Sequence, residues 1–262
     1  MKYTFISGAT GGIGKAFAFA IAKKGYNLFL TARSDKKLSA LKEEIVQLYP
    51  TVSVYYYACD LTVESQRDAL YNYAKDNCIS IDRIINVAGV DTQKAFVDYT
   101  REKVLFQLRV NAEATTDLTY LLLSLRDGGC EVLTVSSMSG QSPMPYFALY
   151  SASKGYLTSL FTSLHYELKG DGVKVTTVLP GGVFTRPDIV EEIKSQGLWG
   201  RLSAKTPEFV AEKSLKAVRK NKVKYIPGFF NKFLNFIMAI SPKKIVLGFI
   251  AKRWKKHSKD AF

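Results

Sequence analysis

Tyr3-Thr4-Phe5-Ile6-Ser7 followed by Gly8-Ala9-Thr10-Gly11-Gly12-Ile13-Gly14 opens the chain, and the reading of this stretch decides the fold. Tyr3–Ser7 is an aromatic and β-branched run that predicts a strand. Gly12–Lys24 places Ile13, Phe17 and Ile21 at spacing four, which predicts a helix. Glycine tolerates positive φ and lets backbone approach a ligand closely. A helix N-terminus offers unpaired N–H groups and a positive dipole end to a phosphate. Glycines in an ordinary loop say little. Here they join the first strand to the first helix, as cradling a dinucleotide pyrophosphate requires. The candidate cofactor contacts are Gly8, Thr10, Gly11, Gly12, Ile13 and Gly14.

Outward from this turn, short apolar runs alternate with longer helical patterns. Strands are expected at Asn27–Thr31, Val52–Ala58, Arg83–Val87, Glu131–Ser136 and Val173–Leu179. Helices are expected at Asp35–Leu48, Glu64–Asn77, Leu149–Leu168 and, as one helix or two, Arg101–Arg126. Leu28-Phe29-Leu30 and Val132-Leu133-Thr134-Val135 are apolar on both faces, as strands between helix layers are. The pattern is that of βαβ units, which predicts an α/β Rossmann fold in one domain: a doubly wound parallel sheet with helices on both faces. Ligands then bind beyond the strands' C-terminal ends, which is where chemistry should be sought.

The second strand ends in Thr31-Ala32-Arg33. An acidic residue there would suit an adenosine 2′-OH; Arg33 suits a 2′-phosphate, so NADP(H) is expected over NAD(H). Tyr150 and Lys154 share one helix face at spacing four. A phenol is a weak acid at neutral pH, and a neighbouring ammonium favours its ionised form. Such a pair can give a proton to, or take one from, an alcohol oxygen. The spacing also occurs at Tyr71/Lys75 and Tyr99/Lys103, which read as surface pairs. Only Tyr150 has a hydroxyl thirteen residues upstream, Ser137, just past an apolar strand. Ser137 and Tyr150 are therefore the candidate substrate contacts. Asn86-Val87-Ala88-Gly89 and Pro180-Gly181-Gly182-Val183-Phe184-Thr185 follow two further strands and would let backbone approach a cofactor.

Together these residues resemble the short-chain dehydrogenase/reductase family over roughly residues 1–190. Gly8, Gly12 and Gly14 match its cofactor glycines. Asp60, with Leu61 beside it, matches its adenine contact. Asn86, Ala88 and Gly89 match its fourth-strand element, and Pro180, Gly181, Val183 and Thr185 its nicotinamide-side motif. Asn111, Ser137, Tyr150 and Lys154 match its catalytic tetrad. The resemblance implies Tyr150 as general acid in reduction and base in oxidation. It implies Ser137 as the group positioning the substrate oxygen. Lys154 would lower the Tyr150 pKa and bind the nicotinamide ribose, and Asn111 would hold a relay water. It also implies a homodimer or homotetramer. Val87 replaces the family's second Asn, and Gly11 stands where many NADP-using relatives carry a basic residue.

The chain has 262 residues, 47% of them hydrophobic, enough for a sizeable core. Cys59, Cys78 and Cys130 are scattered, which predicts neither metal site nor disulfide framework and fits reduced cytoplasmic thiols. Met1-Lys2-Tyr3 leads straight into the first strand, so no signal peptide is expected ahead of the fold.

Charge is uneven: residues 1–200 carry 21 Lys/Arg and 20 Asp/Glu, whereas residues 201–262 carry 16 and 3, a net of +13. The basic end reads as a solvated face or as a contact for an anionic surface. It holds no nucleic-acid motif, so nucleic-acid binding is not expected.

A core of residues 1–228 is followed by a basic helical extension, 229–262. Within the core, 188–206 is read as a lid in which Ile189, Ile193, Leu198 and Trp199 would be apolar, and Lys224–Gly228 as a last edge strand and turn. In the extension, Phe229–Ile240 sets its apolar residues against a polar strip of Asn231, Lys232 and Asn235. Ile245–Trp254 is a second amphipathic pattern. These two would be an interfacial pair on anionic lipid, a pocket cover or a subunit contact.

The function expected is hydride transfer between NADP(H) and the carbonyl or alcohol carbon of an apolar small molecule, such as a ketone, steroid or 3-oxoacyl thioester. The alternative is a non-catalytic NADP(H)-binding sensor or scaffold, which would not require the Asn111, Ser137, Tyr150 and Lys154 set.

Overall fold

A computed structural model describes residues 1–185, 190–191 and 202–255. Seven strands form one parallel sheet: β1 (Lys2–Ser7), β2 (Asn27–Ala32), β3 (Val54–Ala58), β4 (Ser80–Asn86), β5 (Cys130–Val135), β6 (Val173–Val178) and β7 (Lys224–Tyr225). Their order is β3-β2-β1-β4-β5-β6-β7. The helices are α1 (Gly12–Ala22), α2 (Asp35–Leu48), α3 (Glu64–Asp76), α4 (Arg101–Leu108), α5 (Ala114–Leu123), α6 (Ala148–Glu167), α7 (Pro207–Arg219), α8 (Phe229–Ile240) and α9 (Lys243–Trp254).

Period-two alternation divides the strand residues between two cores. Ile6, Leu28, Leu30, Ile85 and Leu133 face α1, α2 and α7, meeting Phe17, Leu38 and Val210. Their neighbours Phe5, Phe29, Ile84 and Val132 face α3, α5 and α6, meeting Leu70, Leu118 and Phe161. Both sheet faces are therefore covered, and the doubly wound α/β architecture expected from the sequence is present.

Three local features refine the periodicity reading or go beyond it. Arg101–Arg126 is two α-helical segments joined without interruption by a π turn at Arg109–Glu113, which holds the buried Asn111. Helix α7 was not anticipated, although Thr206 caps it by accepting from the Phe209 N–H and Pro207 stands in its first turn. In α8 one residue of the polar strip turns inward: Asn231 is fully buried, and its Nδ2 donates to the carbonyls of Ser203 and Pro227, both at 2.8 Å. Lys232 remains exposed. The lid residues Ile189, Ile193, Leu198 and Trp199 lie outside the described residues.

All three cysteines are free; Cys59 and Cys130 are buried, and burial pushes each thiol up to about 12.

Candidate active site

β1 and β4 are neighbours, yet the chain leaves them toward opposite sides of the sheet, to β2 and β5. This opens a crevice beyond Ser7 and Asn86, which pair in register. Ser7, not singled out from the sequence, closes the floor of that crevice. Its Oγ accepts from the backbone N–H groups of Val87 at 3.1 Å and Ala88 at 3.2 Å.

Gly8 has φ +64°, and a Cβ there would stand 2.9 Å from the Ala88 Cα. A Cβ on Gly12 would stand 3.0 Å from the Thr185 Cβ, and one on Gly14 would collide with the Gly8 carbonyl. The loops after β1, β4 and β6 thus meet where any side chain would intrude. Helix α1 begins at this meeting point with no side chain capping its N-terminus. These features fit a dinucleotide pyrophosphate on the α1 N-terminus.

Ile13 packs against the α1-side core, and Thr10 is half-buried at the turn. On the nicotinamide side, the Pro180 carbonyl accepts from the Met138 N–H at 3.0 Å. The Thr185 N–H donates to the Val183 carbonyl at 2.8 Å. Gly181 lies under Asn231 of α8, whose amide a Cβ would meet at 2.9 Å.

At the adenosine side, Arg33 is exposed just past β2, with no ion-pair partner among the described residues. Asp60 Oδ1 accepts from the Thr62 N–H at 3.0 Å and the Thr62 hydroxyl at 2.8 Å. Leu61 is buried, and its carbonyl accepts from Arg67 at 2.7 Å. Arg67 also pairs with Glu113 at 2.9 Å and with Asp117, tying this corner to the π turn and α5. This cluster was not visible from sequence, because its acidic members stand 46 and 50 residues from Arg67.

The catalytic candidates converge on the face of α6 nearest β5. Ser137 follows β5 and Tyr150 stands in the first turn of α6, and Ser137 lies near enough to bear on the phenol's acidity. Ser137 Oγ also accepts from the Ser139 N–H at 3.2 Å and hydroxyl at 2.7 Å. Lys154 is buried, and its Nζ donates to the Val135 carbonyl at 3.0 Å. Asn111 grips Val90 from both sides: its Oδ1 accepts from the Val90 N–H at 2.8 Å, and its Nδ2 donates to the Val90 carbonyl at 2.9 Å. It also donates to Ser153 at 3.0 Å.

Gly89 sits between the two groups. A Cβ there would be 3.1 Å from Lys154 Nζ and 3.3 Å from Asn111 Oδ1. The structure therefore brings Asn111, Ser137, Tyr150 and Lys154 together beside the Ala88 and Gly89 backbone. Asn86 is different: its Nδ2 donates to Thr119 at 2.9 Å and Thr134 at 3.2 Å, which bolts β4 to α5 and β5.

The resemblance implied a Tyr150 made more acidic by Lys154. Burial instead pushes the phenol up from its ordinary value. Asp91 adds to the rise, and Ser137 opposes it. Burial also pulls Lys154 down to about 8, against the charge of Asp91. The Lys154 ammonium sits 5.8 Å from the Tyr150 ring centre while bonded to Val135. Asp91, which acts on both groups, was missed by the sequence reading; its only signal was its place two residues past Gly89.

An aromatic wall completes the site. Phe147 stacks on Tyr150 with ring centres 4.5 Å apart, and Trp254 of α9 stacks on Phe147 at 6.2 Å.

Comparison with known proteins places the chain among relatives of known family. The family profile described as short chain dehydrogenase matches residues 2–196. A very-long-chain 3-oxoacyl-CoA reductase of Pyrenophora tritici-repentis is 34% identical over 67% of this chain, and the match spans 53% of the fungal protein, about half its length. A sulfoacetaldehyde reductase of Chromohalobacter salexigens is 32% identical over 79% of this chain and 84% of its own. Among solved structures, a 7beta-hydroxysteroid dehydrogenase superposes with a TM-score of 0.86 at 23% identity, covering 95% of this chain and 96% of that one.

Proposed function

From the premise that the chain belongs to the short-chain dehydrogenase/reductase family, we propose that it is an NADP(H)-dependent reductase of apolar carbonyl compounds. The observation that carries this is the placement of Tyr150 and Lys154 one turn apart on α6, with Lys154 Nζ held at the end of β5 against Gly89 and the glycine cradle beside it.

Bound at that cradle, the nicotinamide supplies or accepts the hydride. The protein's own groups handle the proton. With its pKa raised by burial, Tyr150 stays protonated at neutral pH, the state needed to donate to a carbonyl oxygen. Ser137 holds that oxygen against the phenol. Lys154, down to about 8, is mostly protonated at pH 7 and lies where the ribose hydroxyls would approach. Asn111 acts through Val90, fixing the turn that presents Asp91 to Tyr150 and Lys154.

Gly8, Thr10, Gly11, Gly12, Ile13 and Gly14 would hold the pyrophosphate. Asp60 and Leu61 would face the adenine, with Ala88 and Gly89 at the adenosine ribose and Pro180, Gly181, Val183 and Thr185 at the carboxamide. Asn86 would contribute through its strand-end backbone. Arg33, exposed beyond β2, would read a 2′-phosphate and set the preference for NADP(H). The Phe147–Trp254 wall offers apolar area to the substrate. It favours a long acyl chain or ring system, as in the fungal reductase, over a small sulfonate.

The test is a panel of ketones, 3-oxoacyl thioesters and steroids assayed by nicotinamide absorbance, with Tyr150→Phe in parallel. Turnover should vanish in the variant while NADPH binding is kept, and Tyr71→Phe should behave as wild type. Near-normal activity of Tyr150→Phe would remove the phenol from the mechanism.

A further inference from the structure

Helix α8 is built inside out. Its buried position is the polar Asn231, while Phe229, Phe233, Phe236 and Ile240, at helical spacing, point to solvent. Ile245 and Phe249 continue the pattern on α9. These six side chains are between 50% and 86% exposed, and clustered exposure of this kind marks an interaction surface. The same extension carries the exposed Lys243, Lys244, Lys252 and Lys255. No Asp or Glu occurs between Glu212 and Asp260.

We propose that the outer face of α8 and α9 is a docking surface for an anionic lipid bilayer, on which the enzyme lies with the aromatic side chains inserted and the lysines at the headgroups. Charge selects this occupant. A second copy meeting the same face would set lysine against lysine, and residues 1–200, at 20 Asp/Glu and 21 Lys/Arg, offer no anionic excess to receive it. An anionic bilayer supplies an apolar layer and negative charge together. The enzyme lies on the membrane rather than crossing it, since no helix among the described residues is long and apolar enough to span. The opposite end of the same extension reaches the active site, where Trp254 meets Phe147 beside Tyr150. Docking therefore brings the pocket wall to the lipid, where apolar carbonyl compounds are concentrated. This last step rests on the proposed function; the docking itself does not.

The test is co-sedimentation of the full chain with vesicles of phosphatidylcholine alone and of phosphatidylcholine containing one-third phosphatidylglycerol, at low and high salt. Wild type should bind the anionic vesicles, at least about tenfold less at high salt, where charge is screened. Phe229→Ser/Phe233→Ser/Phe236→Ser and Lys243→Glu/Lys244→Glu should each weaken binding by about tenfold or more. Both variants should keep wild-type thermal unfolding and NADPH binding, because the replaced side chains are exposed. Tyr120→Ser, at another exposed aromatic, should bind as wild type. The proposal is overturned if wild type does not bind anionic vesicles at low salt, or binds neutral vesicles equally. It is also overturned if the triple Ser variant binds as wild type, or if that variant changes only a self-association seen by light scattering. Because lipid binding is read without turnover, failure here leaves the catalytic reading standing, and an inactive enzyme would not touch this result.

Discussion

Gly140→Ala adds one methyl group at the joint between Ser137 and helix α6. Gly140 lies in the 3₁₀ turn Met138–Gln141, and a Cβ there would stand 2.7 Å from the Lys154 carbonyl carbon, 2.8 Å from its oxygen and 2.9 Å from the Gly155 nitrogen. All three atoms are backbone, so no side chain can swing aside. Restoring ordinary contact requires the turn and the helix to separate by about 0.7 Å. Overpacking of this kind costs about 1–3 kcal/mol. For a chain of this size that lowers Tm by about 3–10 °C.

Catalysis should suffer more than stability. The two surfaces forced apart carry Ser137 on one side and Tyr150 and Lys154 on the other, and a misplacement near 1 Å can reduce rate about a hundredfold. We expect kcat to fall about ten- to a hundredfold on whichever carbonyl substrate the panel identifies. Gly170→Ala is the control: a Cβ there meets nothing within 4 Å, so Tm and kcat should both hold. Differential scanning fluorimetry and nicotinamide absorbance read the two quantities. If Gly140→Ala has wild-type Tm and kcat, the packing of this turn does not set the catalytic geometry.

Arg33→Ala should weaken NADPH binding by about 1.5–3 kcal/mol, the range for a hydrogen bond to a charged group, and leave NADH almost unchanged; equal losses in fluorescence titrations would refute the 2′-phosphate role. Lys154→Met should abolish turnover yet stabilise the fold at pH 7. The native pKa of about 8 lies below the 10.5 of an ordinary lysine, so the buried ammonium opposes folding below pH 8, and that penalty is relieved as pH rises from 8 toward 10.5. The gain should be at most about 3 kcal/mol, reduced by the lost Val135 hydrogen bond, and should shrink by pH 9.5; urea denaturation showing the variant less stable at pH 7 would contradict it. Trp254→Ala should raise KM for apolar substrates about five- to thirtyfold through lost apolar contact, with kcat nearly unchanged; an unchanged KM would remove Trp254 from the pocket wall.

The fold was legible because its signals are local. A glycine turn between strand and helix, period-two strands and i, i+4 helix faces each depend on a few neighbouring residues, and all six strands expected before residue 180 are present. The Tyr150, Lys154 and Ser137 grouping was legible for the same reason: two residues share a helix turn and the third sits at a strand end. Asn111 came only through the resemblance, since nothing local to it indicates that it would grip Val90. Ser7, Gly140, Asp91 and the Arg67 cluster were missed because their partners are distant in sequence. Helix α7 carries a local start signal in Thr206-Pro207-Glu208, a capping threonine followed by a proline in the first turn.

Helix α8 shows where periodicity stops informing. Its pattern establishes that one face is apolar; it says nothing about which face meets the protein. That choice is made by Gly181, where the lack of a side chain admits Asn231, and by the Ser203 and Pro227 carbonyls that bind its amide. A phenylalanine in place of Asn231 would leave both carbonyls without that donor and press a ring against the Gly181 backbone. The polar residue is held inward by backbone hydrogen bonds, and the aromatic face turns outward as a consequence. The same extension then touches the site twice, with Asn231 against the nicotinamide-side loop and Trp254 against Phe147 on Tyr150. Movement of α8 and α9 on a surface would therefore reach both the loop proposed to hold the carboxamide and the wall proposed to hold the substrate.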